Sequence, residues 1–422
     1  MRIYFSGVGG VGIGPLMEIA HDAGYDVVGS DIAESLMTKS LVQKGLEVNI
    51  GQNYSQIAQV YQKAQFDWVV YSAALSPNNP ELVFAREHGI RTSKRDEFLS
   101  ELLRQKNLKL IAVAGTHGKT TTTGLLVWCL QKLGIPISYS VGTTLSFGES
   151  GRYDPTSQYF VYECDEYDRN MLHFEPDYTI ITSLDYDHPD TYPTKKSYVE
   201  AFVQFIEQSG YSFMWGKDRR NLDAPDIAAS YEAYDKLMDL SEFTLPGVHM
   251  RQNAFLVSRL LKRIHDETIS AKQIQEAINS FPGTSRRFEK LADNLYSDYG
   301  HHPTEIAATL QMAREISEHI VLVYQPHQNI RQHEVRVDYT DCMQLAESIY
   351  WLPTYLSRED PKLEILNPEQ LTDSLVNRAS VNYAELNDDL WRNIQTEIKN
   401  DKLVLLMGAG SIDGWARQKQ NK

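Results

Sequence analysis

Leu108-Lys109-Leu110-Ile111-Ala112-Val113-Ala114, then Gly115-Thr116-His117-Gly118-Lys119-Thr120-Thr121-Thr122, then Thr123-Gly124-Leu125-Leu126-Val127-Trp128-Cys129-Leu130 is the stretch whose reading decides the fold. The first run is apolar enough for a buried parallel strand, and the last reads as a helix. Between them lies a glycine-rich turn ending in Gly-Lys-Thr. Strand, turn and helix in this order hold a nucleotide triphosphate, because N–H groups at the turn and helix start point at phosphate oxygens. Gly115, Thr116, His117, Gly118, Lys119, Thr120 and Thr121 are the expected phosphate contacts. Lys119 would reach the β/γ-phosphates and the Thr120 hydroxyl would sit on Mg²⁺. The full Walker pattern has a glycine where this chain has Val113, so the loop is a shortened variant.

Working outward, the 422 residues are too many for one ordinary domain. A net charge of −15 argues against a nucleic-acid or anionic-membrane surface, so an anionic substrate must be met by local cations, metal or helix N-termini. Cys129, Cys164 and Cys342 are scattered and odd in number, which implies no disulfide framework and fits a reducing cytoplasm. No signal peptide and no membrane span are expected.

Upstream, Arg2-Ile3-Tyr4-Phe5 leads into Ser6-Gly7-Val8-Gly9-Gly10-Val11-Gly12-Ile13-Gly14, a helix over about Pro15 to Ala23, and a strand Val27–Gly29 ending at Asp31. This is a Rossmann-type start, with an acidic residue about 20 positions past the glycines. Asp67–Ser72 reads as a later strand, and the polar Arg104-Gln105-Lys106-Asn107 as a linker. Downstream, two strands have acidic ends. Tyr159–Tyr162 runs into Glu163-Cys164-Asp165-Glu166-Tyr167-Asp168, and Tyr178–Leu184 into Asp185-Tyr186-Asp187-His188. Ligands of open α/β sheets bind beyond the carboxyl ends of strands, so both clusters belong beside the phosphate loop. Helices are expected near 197–208, 253–265 and 271–280. A third unit, from about Phe281, alternates strands (294–297, 319–324, 348–352, 403–407) with helices (304–316, 368–377), again arguing a parallel sheet. Its closing Gly408-Ala409-Gly410 reads as a tight turn before the last helix.

Hard oxygen ligands suit Mg²⁺, and Thr120 and Glu163 are the best placed, with His188 for the metal or its water. Arg286-Arg287 lies at the entry to the third unit. Tyr299-Gly300-His301-His302-Pro303 and Gln325-Pro326-His327-Gln328-Asn329-Ile330-Arg331 each follow a strand end and could together form an amino-acid pocket.

Taken together, these elements resemble the Mur ligase family of ATP-dependent amino-acid ligases in peptidoglycan precursor synthesis. The marks are Ala114–Thr122, Glu163-x-Asp-Glu166, Asp187-His188-x-Asp190-Thr-Tyr192, Gly283-Thr-x-Arg-Arg-Phe288 and Asp298-Tyr-Gly-His-His-Pro-Thr-Glu305. The resemblance implies an α/β protein of three domains. Residues 1–105 would be a Rossmann-like domain binding a UDP-sugar, 106–282 a shortened P-loop-type ATPase domain, and 283–422 a Rossmann-like domain for the amino acid. The glycine run, the Asp-His string, Asp298–Glu305 and Gln325-Pro-His327 point to the branch that joins L-alanine to UDP-N-acetylmuramate. In that reading Gly9, Gly10 and Gly12, with Asp31 and Ser72, serve the UDP-sugar. Lys119, Glu163 and His188 are catalytic. Thr120, Glu163 and His188 serve Mg²⁺. Asn253, Arg287 and Asp298 complete the ATP site, and Tyr299, His301, Gln328 and Arg331 face the amino acid. A cytoplasmic monomer or weak homodimer is implied.

Some positions depart from the family pattern. Met250 stands in Gly247-Val-His-Met-Arg-Gln-Asn253 where an Asn is usual, and Gln328 where an Arg is usual. The segment 211–247 is short, and the helix after His188 lacks the lysine that some relatives carbamylate. Glu163-Cys-Asp-Glu-Tyr-Asp168 is closer to a branch that attaches a preformed tripeptide. A nucleotide- or UDP-sugar-binding protein without ligase activity is the alternative from another class.

Overall fold

The computed structural model describes residues 1–10, 12–72, 75–188, 190–224, 226–235, 240–265, 268–357 and 359–420; Val11 and Pro189 of the quoted motifs lie outside them. Its strands form three sheets.

The first sheet is wholly parallel, in the order Glu47–Ile50, Asp26–Asp31, Arg2–Ser6, Trp68–Tyr71, Arg91–Lys94. The chain starts in the middle, builds outward on one side, then crosses to the other. The direction reverses beside Ser6, and there the Gly7–Gly14 run leaves the sheet, at the kind of crevice where open α/β folds take ligands. Gly7 has φ +90°, and the amides of Gly7 and Val8 both donate to the Ser30 carbonyl (2.8 and 3.0 Å).

The second sheet has seven strands, in the order Tyr231–Tyr234, Ser212–Trp215, Tyr178–Ile181, Lys109–Ala114, Tyr159–Glu163, Ile137–Ser140, Gly151–Arg152. All are parallel except the last pair. The phosphate-loop strand is flanked directly by the two strands with acidic ends, so all three carboxyl ends open at one edge.

The polar stretch Arg104–Lys106 is not a linker. It is the last turn of the helix Arg95–Lys106, closed by Asn107 in the left-handed region (φ 54°). Phe98, Leu99, Leu102 and Leu103 of that helix are buried, at the spacing of one helix face. Its polar residues lie on the other face, which is why they imitate a linker. One hydrophobic cluster runs from Phe5, Trp68 and Phe98 to Phe160, Phe202 and Phe205, joining the first two sheets.

The third sheet is mixed: Glu289–Ala292 pairs antiparallel with Leu295–Asp298, and Leu403–Met407, Ile320–Tyr324, Ser348–Trp351 and Val381–Tyr383 follow in parallel. The expected helix at 368–377 is only Pro368–Thr372. By contacts the chain forms two compact units, Met1–Asp239 with Phe255–Phe281, and Leu240–Ala254 with Pro282–Lys422. The second unit claims the Asn253 string through Arg251. Its guanidinium meets Glu315 with both forks (2.8 and 2.9 Å), and the Gly247 amide donates to the same carboxylate (2.9 Å). Met250 is buried, as an apolar side chain there requires.

Candidate active site

The phosphate loop is clamped from outside by the neighbouring strand end. The Thr116 amide donates to Ser183 O (3.1 Å) and the His117 amide to Ser183 Oγ (2.9 Å), while Thr182 Oγ1 donates to His117 O (2.5 Å). The Thr116 hydroxyl donates to Asp185 O (2.7 Å) and meets the Tyr198 hydroxyl (2.7 Å). Gly115 has φ +130°, and a Cβ there would lie 2.4 Å from Thr182 Oγ1, so the closeness of this clamp demands glycine. Gly118, at φ +82°, turns the chain into the helix Lys119–Lys132. The N–H groups at the start of that helix have no intrahelical acceptor.

Lys119 Nζ donates to Gly115 O (2.6 Å), Thr116 O (3.2 Å) and Glu166 Oε2 (2.7 Å). Burial works against its charge, but Glu166, Asp165 and Glu163 outweigh it, and its pKa lies above the ordinary lysine value. Glu166 is 0 % exposed. Burial favours its neutral form, yet Lys119 and His188 hold it below the usual carboxylate range. Its other oxygen lies 3.6 Å from His188 Nε2, and its carbonyl accepts the Tyr192 hydroxyl (2.5 Å). Asp165 titrates above its usual range, first through burial and then through Glu166.

On the next strand end, Glu163 Oε1 accepts the Thr120 hydroxyl (2.7 Å) and Oε2 the Gly142 amide (3.0 Å). A hydroxyl and a carboxylate beside the first turn of the phosphate helix are a hard-oxygen donor pair. Mg²⁺ takes one or two protein groups and keeps several waters, so this pair fits it. Lys119, Thr120, Glu163 and His188, expected together, do gather at this edge. Sequence reading left Glu166 without a role of its own, although it is the anion that holds Lys119 and faces His188. Its signals were a place at a buried strand's acidic end and in the Glu163-x-Asp-Glu166 string, neither of which names a partner. The clamp of Thr182, Ser183 and Tyr198 had none.

At the edge of the first sheet, the Gly9 amide donates to Asp31 Oδ2 (2.7 Å), and a Cβ on Gly9 would lie 2.8 Å from that oxygen. Asp31 thus closes the glycine loop. The Gly14 amide donates to Gly10 O (3.1 Å), and the Ser72 amide to Ser6 O (3.2 Å) beside Gly7. A Cβ on Gly12 would lie 2.6 Å from Arg95 Nη1.

In the second unit, Asp298 accepts the amides of Phe288 (2.8 Å) and Gly300 (2.7 Å), and burial pushes its pKa up to about 6. The guanidinium carbons of Arg286 and Arg287 lie 4.6 and 5.0 Å from the Tyr299 ring centre. His301 is held by Tyr299 O at Nδ1 (3.2 Å) and by Arg331 at Nε2, and burial pushes its pKa down to about 4, so it is neutral at pH 7. The His327 ring stacks 5.7 Å from Tyr355. Gln328 has φ +60°, donates its amide to Tyr355 O (2.9 Å) and opens the helix Asn329–Val335. Tyr299, His301 and Arg331 are therefore one cluster. Asn253 is buried on the helix Val248–Ile264.

Three family models match in chain order: "Mur ligase family, catalytic domain" over residues 2–107, "Mur ligase middle domain" over 113–230, and "Mur ligase, glutamate ligase domain" over 286–410. The UDP-N-acetylmuramate–L-alanine ligase of Fusobacterium nucleatum is 30% identical, across 99% of this chain and 96% of the relative. The chain belongs to the Mur ligase family. Among solved Mur ligases, the UDP-N-acetylmuramate–alanine ligase of Thermotoga maritima superposes with a TM-score of 0.74 at 24% identity, covering 100% of both chains. A murein peptide ligase from Psychrobacter arcticus gives 0.69 at 23% identity, covering 100% of this chain and 98% of its own. Both show the three-domain Mur ligase fold. The Fusobacterium alignment runs over 467 positions against 422 residues here, so that Mur ligase carries residues this chain lacks. Among the described residues no helix is long and apolar enough to cross a membrane, and the three cysteines are free and buried.

Proposed function

We propose that this protein is an ATP-dependent ligase that joins L-alanine to the lactyl carboxylate of UDP-N-acetylmuramate in peptidoglycan precursor synthesis. The observation that carries it is the charge array at one sheet edge, Lys119 on Glu166 beside His188, next to Thr120 on Glu163. The near-full-length 30% identity to curated ligases of this name supports the same reading. A bare nucleotide-binding protein has no need of a buried carboxylate set between Lys119 and His188.

The chemistry follows from repulsion. A carboxylate oxygen attacks the γ-phosphorus of ATP, the bond to the bridging oxygen breaks, and an acyl phosphate and ADP result. Carboxylate and polyphosphate repel each other, and the site must neutralise both before they meet. Lys119 supplies a permanent cation, since its carboxylate neighbours hold its proton. On phosphate arrival its ammonium can exchange Gly115 O and Thr116 O for phosphate oxygens while Glu166 keeps it aimed. Thr120 and Glu163 would hold Mg²⁺, whose contribution is Lewis-acid neutralisation of the β/γ oxygens. His188 orients the acceptor side through Glu166. A neutral amine then attacks the acyl carbon, and phosphate leaves.

In this assignment residues 1–105, 106–282 and 283–422 carry UDP-sugar, ATP and amino acid. Gly9, Gly10, Gly12, Asp31 and Ser72 form the first site, and Asn253, Arg287 and Asp298 add to the second. Tyr299, His301, Gln328 and Arg331 form the third. The reaction is placed in the cytoplasm, where ATP and a reducing medium suit three free thiols. The test is amide formation and phosphate release with UDP-N-acetylmuramate, ATP, Mg²⁺ and a panel of amino acids, with a peptidoglycan tripeptide as a separate arm. L-Alanine is expected to give the highest kcat/KM. Preference for the tripeptide would move the protein to the recycling branch, and no amide with any amine would sink the ligase reading.

A further inference from the structure

Three consecutive residues at one strand-to-helix junction of the first sheet reach the acidic segment of the second or the strand residue that leads into it. Lys94 pairs with Asp168. Arg95 Nη2 lies 3.8 Å from Asp165 Oδ2, and its Nε donates to Asp96 Oδ2 (3.0 Å). Asp96, 1 % exposed, takes the Tyr162 hydroxyl on its other oxygen (2.5 Å). Tyr162 directly precedes Glu163, and Asp165 directly precedes Glu166. The remaining arm of the fork, Nη1, occupies the space where Gly12 would carry a Cβ. One guanidinium therefore touches the glycine loop of the first sheet and the acidic loop that holds Lys119.

We propose that Arg95 is a positioning residue that registers the UDP-sugar loop against the ATP loop, an inference that rests on the function proposed above. A diphosphate on Gly9–Gly12 brings negative charge to Nη1. The guanidinium is planar with its donors in a fixed fork, so whatever fixes Nη1 also fixes Nη2 on Asp165 and Nε on Asp96. Glu163 and Glu166, on the same short segment, are then set for Thr120 and Lys119. The consequence is that UDP-sugar and ATP bind cooperatively, and that the cooperativity runs through Arg95.

The test uses the full chain and calorimetry. The Kd of a non-hydrolysable ATP analogue with Mg²⁺ is measured with and without saturating UDP-N-acetylmuramate, in wild type, Arg95→Gln, Arg95→Lys and Tyr162→Phe. Wild type is expected to bind the analogue about fivefold or more tighter with the sugar present, the low end of ordinary site coupling. Arg95→Gln is expected to remove that gain and raise the UDP-sugar Kd about tenfold, as loss of one charge-assisted contact does. The analogue's Kd without sugar should stay within about twofold. Arg95→Lys keeps charge without the fork, and should recover sugar affinity but not cooperativity. Tyr162→Phe, which removes only the hydroxyl on Asp96 and no charged group of either loop, should weaken cooperativity and leave sugar affinity in place. Cooperativity intact in Arg95→Gln, or an equal loss of analogue affinity without sugar, would overturn the proposal, the latter showing a merely structural residue. Wild type that makes no amide sinks the proposed function; wild type that makes it with uncoupled binding sinks only the role of Arg95.

Discussion

Two glycine-rich turns in this protein begin alike and end differently. Each leaves a central strand with parallel neighbours on both sides and enters a helix. At Gly7–Gly14 a carboxylate, Asp31, closes the turn by accepting the Gly9 amide, and the helix opens with Gly14-Pro15-Leu16. At Gly115–Gly118 the turn is closed by backbone and hydroxyl groups of 182–185, and the helix opens with Lys119-Thr120-Thr121. The backbone device is shared, and the side chains after it divide the labour. The first turn offers shape and amides and brings no cation of its own; Arg95 comes to it from another element. The second carries its own cation and its own hydroxyl, and the neighbouring strand end brings two carboxylates, Glu163 and Glu166, to aim them. A diphosphate that stays intact needs the first kind. A γ-phosphate under attack needs the second.

The hardest blow to this division is Lys119→Met. It should lower kcat by about 10³-fold or more, the scale for removing a preorganised electrostatic group, while UDP-sugar alone binds within about threefold of wild type. If sugar binding falls equally, the two turns are not separate sites. Glu163→Gln should cost about 10²-fold and raise the Mg²⁺ concentration needed for half-maximal rate. An unchanged Mg²⁺ requirement would remove Glu163 from the metal. Gly9→Ala sharpens the other side, because its Cβ would meet Asp31 Oδ2 at 2.8 Å. The KM for UDP-sugar should rise about tenfold with the KM for ATP within about twofold, since only the first turn is disturbed. Gln328→Arg probes the part of the chain with neither turn. It should lower the KM for alanine several-fold, about what a charge-assisted carboxylate contact adds over a neutral one, and an unchanged or higher KM would refute a carboxylate site there.

The smallest effect is on stability. His249 and His301 both have folded pKa values near 4 through burial, below the ordinary 6.5. Between 6.5 and 4 the unfolded chain binds protons that these two folded rings do not, so their contribution is complete above 6.5 and is lost as pH falls. Asp298, raised to about 6, runs the other way between 6 and 3.8, taking a proton in the folded state. Asp218, pushed up to about 6 by burial, opposes the histidines as Asp298 does, so the four nearly cancel near pH 5, where each ring alone would cost on the order of 1.4 kcal/mol per pH unit of acidification. Urea unfolding at pH 7, 6 and 5 checks this balance. His249→Gln should shift the slope toward greater stability at pH 5 relative to pH 7, and a slope equal to that of wild type would exclude a proton-linked cost from burying that ring.

Much of this was legible in the chain. Apolar runs ending in glycine gave the central strand of each of the first two sheets, because a strand buried on both faces and a turn without Cβ leave compositional marks. The clustering of Lys119, Thr120, Glu163 and His188 followed from one rule, that parallel strands open at a common edge. Arg104–Lys106 misled, since an exposed helix face and a linker have the same composition. Glu166 could be placed beside the phosphate loop but not on Lys119, since sequence carries no sign of which carboxylate is buried.

By itself, then, the sequence determined the three-sheet α/β plan, the phosphate turn and the order of the family's motifs, all of which depend on neighbours along the chain. Only the tertiary structure decided that Glu166 holds Lys119, that Asp31 closes the first turn, that Arg251 draws the Asn253 string into the second unit, and that Arg95 touches two loops. Each of these depends on which side chains meet across 22 to 70 or more residues of sequence. That is fixed by sheet order and burial, which no local pattern records.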